Sequence, residues 1–136
     1  QSRYANIVAG ADDMDIRAEV LFISRRLRLG SRWVTLHDSS PRVWRELRNQ
    51  VGGFMSGLHE RGLLVGAGGH DSWFVRCNQE TNRGAAQSQG HVGFVIGLAL
   101  RTPGEFFCLK FQHSPTGCSI TELGWHQDST RAISTG

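Results

Sequence analysis

In the stretch HVGFVIGLAL, residues 91–100, bulky Val92, Phe94, Ile96, Leu98 and Leu100 alternate with Gly93, Val95, Gly97 and Ala99. That period of two is the signature of a β-strand with one large and one small face. The bulky face belongs to a core, and the small face lets another group pack close. After the turn signal RTPG comes EFFCLKFQ (105–112), so the two strands read as a hairpin.

A second constraint lies upstream. Between Pro41 and Gly62, Val43, Leu47, Val51, Phe54 and Leu58 recur at steps of four, four, three and four, which marks one face of a helix. Ser40 before Pro41 supplies an N-cap and a proline in the first turn, and Gly62 is placed to end the helix in a left-handed conformation. Gly52, Gly53 and Gly57 inside it each cost about 1 kcal/mol relative to alanine, so a close approach to the backbone is expected there. An earlier helix is predicted from Ile16, Val20, Ile23 and Leu27, with Asp15 near its start and Gly30 after its end. The short runs RWVTL (32–36) and SWFVRC (72–77) read as strands.

The expected fold is therefore α+β, a single domain of order α-β-α-β-β-β with helices packed on a small mixed sheet. Its core domain spans 16–112. Residues 1–15 and 113–136 carry few large apolar groups and are expected to be N- and C-terminal arms ordered by a neighbour. With 136 residues and 39% apolar content the chain can build one core without staples.

Charge and cysteine usage narrow the function. The formal net charge is +3, with arginine heavily outnumbering lysine. That admits an anionic partner but falls short of a dedicated nucleic-acid binder. The longest apolar run, 93–100, is too short to span a bilayer. The N-terminus QSRYANIVAG lacks a signal sequence's basic and apolar regions, so the chain reads as soluble and unsecreted. It begins without an initiator methionine, as a processed chain or a part of a longer one would. Cys77, Cys108 and Cys118 form no CxxC pair, and their odd number leaves one thiol free or bonded to another chain. The six histidines show neither HExxH nor paired spacing with cysteines, so no metal site is predicted.

The segment GAGGHDSWFVRCN (66–78) gathers His70, Asp71, Ser72 and Cys77, as a small hydrolase or thiol enzyme would. A nucleophile elbow, however, runs strand, turn, helix, and here the order is helix, glycine loop, strand. No helix N-terminus follows the glycines to hold a phosphate. The reading preferred is a helix-to-strand connector, with Cys77 a small buried hydrophobe. Arg25, Arg26, Arg28 and Arg32 put several positive charges in one short span, either a solvated helix face or an electrostatic docking surface. A nucleic-acid-binding adaptor using these arginines is a further alternative, though no known module matches.

Taken together, AEVLFISRRLRLGSRWVTLHDSSPRVWRELRNQVGGFMSGLHERGLLVGAGGHDSWFVRCN, a polar loop, and then GHVGFVIGLALRTPGEFFCLKFQ resemble the C-terminal, inner domain of contractile phage tail sheath proteins, also found in related contractile injection systems. The match runs from about Ile16 to Gln112. Its specific pieces are the strand with Trp33, the helix centred on Trp44 that closes on RGLLVG, the WFVRC strand, and the turn Pro103, Gly104, Glu105, Phe106. The resemblance implies a non-enzymatic structural subunit without a cofactor. Such a subunit surrounds the tail tube as part of the sheath, or caps the sheath at the collar, neck or baseplate end. Implied partners are copies of itself in a ring or helical array, and tail sheath, tail tube, neck or baseplate proteins, with no membrane and no nucleic acid. The implied location is the virion, after synthesis in the host bacterial cytoplasm. Terminal arms of such domains add strands to neighbouring sheets. YANIVA and CSITEL are suited to this, which assigns Tyr4, Asn6, Val8, Ile120 and Leu123 to subunit contacts beside Arg25, Arg26 and Arg28. A virion is oxidising enough for disulfides to persist, so Cys118 in the C-terminal arm is the candidate for an intermolecular bridge.

Overall fold

A computed structural model describes the backbone of residues 9–84 and 89–127, with side chains from Asp15 onward. Helix α1 (Ala9–Gly30) leads through a 3-10 helix (Arg32–Leu36) into α2 (Pro41–Glu60), followed by β1 (Trp73–Arg76), β2 (Val92–Leu98), β3 (Phe106–Ser114) and β4 (Gly117–His126). The four strands form one antiparallel sheet in sequence order. The α+β single-domain architecture is as expected, but the sheet is wholly antiparallel rather than mixed.

Both helices arise where their apolar spacing places them. On α1, Ile16, Val20, Ile23 and Leu27 are buried, and the helix starts at Ala9, earlier than the expected start near Asp15. The Ser40 hydroxyl accepts from Val43 N–H at 3.4 Å, capping α2 ahead of Pro41. At the other end Leu63 N–H reaches Leu58 C=O at 2.9 Å and Gly62 N–H reaches His59 C=O at 3.0 Å, with Gly62 at φ +81°. This is a Schellman-type stop, which favours glycine. Val43, Trp44, Leu47, Val51, Met55 and Leu58 are buried, while Phe54, expected on that face, is only partly covered. The close approach expected at the helix glycines occurs at Gly52, where a Cβ would sit 3.3 Å from the Trp73 ring. Gly53 and Gly57 face open space.

RWVTL is the 3-10 helix and not a strand. Its bonds are local, from Val34 N–H to Ser31 C=O and from His37 N–H to Val34 C=O, both 3.2 Å. Val34 is fully buried, and the Trp33 indole donates to Gln50 Oε1 at 2.7 Å while Gln50 Nε2 donates to Gly30 C=O at 2.6 Å. One turn of chain between two helices, with its anchor on α2, satisfies the backbone without a neighbouring strand, and this outweighs the β-preference of Trp, Val and Thr.

The alternation in β2 divides the sheet. Val92, Phe94, Ile96 and Leu98 face the helices together with Leu109 and Phe111, and the Phe94 and Phe111 rings stack at 4.7 Å. On the other side Phe74, Val95, Ala99, Phe106 and Cys108 form a second, smaller cluster. There Phe74 lies over Gly97, where a Cβ would overlap the ring. The expected β2–β3 hairpin is present.

The largest departure is at the C-terminal end. The domain boundary expected at Gln112 falls inside β3, and residues 117–126, expected in an arm, form β4 on the chain's own β3. Phe111 faces Ile120 and Phe107 faces Trp125. A register shift at Cys108/Leu109 leaves Leu123 as an extra residue beside Gly124, at φ +82°, a β-bulge that bends the strand.

Candidate assembly interface

The 66–78 segment folds as a scaffolded connector. Asp71 Oδ2 accepts from Ala67 N–H at 3.0 Å, and Ser72 Oγ accepts from Gly68 N–H at 2.8 Å. His59 Nε2 lies 2.9 Å from Gly66 C=O. Gly66 and Gly68 have φ of +104° and +100°, which explains the glycines. The Ala67 N–H bond, above the other contributors, holds the Asp71 carboxyl below its ordinary range. Ser72 is fully buried, and His70 points to solvent.

Cys77 is also fully buried, and burial pushes its thiol up to about 12 despite Asn82 and Arg48 nearby. A thiol so placed is not a thiolate near neutral pH, so Cys77 lacks the activation that thiol chemistry needs. Arg48 donates to Cys77 C=O. The buried Asn82 amide donates to Gly93 C=O at 3.0 Å and accepts from Gly93 N–H at 2.8 Å. It thereby continues the β1 side of β2 beyond the end of β1.

The arginines have a different setting. Arg25, Arg26, Arg28 and Arg32 are all exposed. Among them lie exposed large apolar side chains, Leu21, Phe22, Leu29 and Leu36, the last 77% accessible. Arg26 lies over the Phe22 ring at 5.8 Å. Exposed apolar groups and arginine are both enriched in protein–protein contacts.

Arg28 and Arg32 further line a cleft of about 430 Å³ with Leu29, Thr35, His113 and the β3–β4 turn through Cys118. His113 is 1% exposed, with Nε2 2.7 Å from Ser31 Oγ. Because the Ser31 hydroxyl donates to Leu27 C=O at 2.5 Å, the hydrogen-bond network assigns the proton to His113 Nε2. Burial first, and Arg32 second, push the His113 pKa down. Cys118 sits opposite His113 on β4, half-buried. Burial raises its thiol pKa, with Arg28 acting against the rise.

A second, smaller groove, about 170 Å³, lies between the start of α1 and the far end of β4. It is lined by Ile16, Arg17, Val20, Arg101, Phe107, Glu122 and Trp125. The Arg101 guanidinium stacks 3.8 Å from the Trp125 ring centre. The two concavities mark the two ends of a seam between α1 and β4. Of the strand residues assigned to subunit contacts, Ile120 packs partly on the core facing this seam, and Leu123 lies at the bulge beside the second cluster. Tyr4, Asn6 and Val8 lie outside the described residues.

Sequence reasoning missed His113 and Thr35 as cleft residues and Ser31 as the hydrogen-bond partner of His113. A signal existed for His113, since Phe107, Leu109, Phe111 and His113 continue one inward-facing alternation. Among the described residues no group of three or more His, Cys, Asp or Glu is placed to hold a metal ion, and no helix is long and apolar enough to cross a membrane. Compared with family models, curated proteins and solved structures, the chain finds no match.

Proposed function

We propose that this chain is a structural subunit of a contractile phage tail or tail-like particle. In this reading it is a sheath-like protein that surrounds the tube or caps the sheath at one end, and it links to its neighbours by exchanging β4. The reading rests on the sequence resemblance and on one contrast within the sheet. All seven residues of β2 are buried, whereas β4, the longest of the four strands at ten residues and one of the two sheet edges, has none buried. Such a strand is held by backbone bonds to β3 together with the partial packing of Cys118, Ile120, Leu123 and Trp125. Those bonds re-form unchanged when β4 pairs with β3 of another copy, so the transfer costs little once assembly supplies the contacts. The turn at Pro115 and Thr116 is exposed and is the natural hinge. The exposed apolar and arginine side chains of 21–36 supply a second contact, with tube, sheath or neck proteins as partners, in the virion.

The test removes the strand. A chain ending at Ser114 should lose rings or tubes by negative-stain electron microscopy, while far-UV circular dichroism still reports both helices. Assembly at wild-type levels without β4 would refute strand exchange.

A further inference from the structure

The cleft of Arg28 and Arg32 offers two guanidinium groups and the hydroxyls of Thr35, Ser114 and Thr116, and no carboxylate lines it. Neither arginine belongs to the ion pairs found among the described residues, such as Arg42–Glu46, Arg83–Glu80 and Arg101–Glu105. A concave surface with two cations, neutral donors and no internal anion is matched to carboxylate, which arginine binds in a two-pronged fashion.

The chain itself carries a complement. Asp12, Asp13 and Asp15 place three carboxylates in four positions, the densest acidic run in the sequence, in the opening turns of α1. Arg28 belongs to the last turn of the same helix. At 1.5 Å per residue the α1 backbone holds positions 13 and 28 about 22 Å apart, which sets the acidic run and the cleft at opposite ends of the helix. We propose that the cleft is a carboxylate-binding site that takes Asp12 and Asp13 of a second copy. This joins unlike ends of α1 head to tail. A contact between two different patches is heterologous, and its repetition gives a ring or a helical array rather than a closed two-fold dimer. The inference rests on the reading that copies of this chain assemble, and adds the electrostatic contact and its polarity.

The experiment is sedimentation velocity on the full chain over a range of sodium chloride concentrations. Four chains are compared: wild type, Arg28→Glu with Arg32→Glu, Asp12→Arg with Asp13→Arg, and the chain carrying all four changes. The half-assembly concentration of wild type should rise with salt. Each charge-reversed pair should raise it about tenfold, and the charge-swapped chain should return to within about threefold of wild type. A swapped chain no better than either reversed pair, reversal without effect, or a wild type monomeric throughout would overturn the proposal. Circular dichroism checks folding, and Arg28→Gln with Arg32→Gln, expected to weaken assembly about fivefold, replaces the glutamate pair if that variant unfolds. If loss of β4 abolishes assembly while charge reversal does not, strand exchange stands and the cleft contact falls.

Discussion

At the scale of single residues, much of the fold depends on small groups set against large ones. Gly97 leaves the space that the Phe74 ring fills, and Phe74 meets Phe106 edge to face at 5.1 Å. Gly97→Ala should therefore destabilise the domain by about 2 kcal/mol through overpacking. In a Phe74→Leu background the added cost should shrink to under about 1 kcal/mol, as coupling across a contact requires. Denaturant unfolding of the four chains measures both. His113 gives a pH dependence. Its folded pKa is pushed below 6.5, so the unfolded chain binds the proton more readily. The stability from the neutral, buried ring is fully present above about 6.5 and is lost as pH falls from there towards the folded value. Unfolding free energy should decline on acidification from pH 7.5 to 5, and His113→Gln should flatten that decline. A wild type and variant with parallel pH profiles would show that another group is responsible.

At the scale of elements, legibility followed how local the determining physics is. Helix α2 was readable because its cap, proline, apolar steps and terminal glycine all lie within its own residues, and β2 and β3 because alternation and a Pro-Gly turn are local too. RWVTL was misread because its conformation is fixed by Gln50, a residue of another helix, against its own β-preference. β4 was misread for the opposite reason: a strand with none of its residues buried leaves little apolar pattern to see. The arginine surface was visible as charge. Its cleft was not, because His113 and the 114–118 turn reach it only through the sheet. The connector at 66–78 was recognisable from the order of elements, although the roles of Asp71 and Ser72 as acceptors for Ala67 and Gly68 needed coordinates.

At the scale of the whole molecule, a fully buried central strand anchors a sheet that becomes progressively more exposed towards β4. Among the described residues, the large exposed apolar side chains lie in 21–36, among the arginines. A body built in this way is firm at its centre, and in the proposed reading the backbone pairing at its β4 edge is what passes between copies. Central to the account is that β4 pairs with a neighbour's β3 in the assembly. Lys110 on β3 faces Thr121 on β4, so the decisive measurement mixes Lys110→Cys chains with Thr121→Cys chains, both carrying Cys118→Ser. The mixture is assembled, oxidised and run on non-reducing gels. The account predicts a disulfide-linked dimer joining one chain of each kind, formed only in assembled material. Assembled particles that yield monomer alone, while a single chain carrying both Lys110→Cys and Thr121→Cys closes its bridge internally, would contradict it.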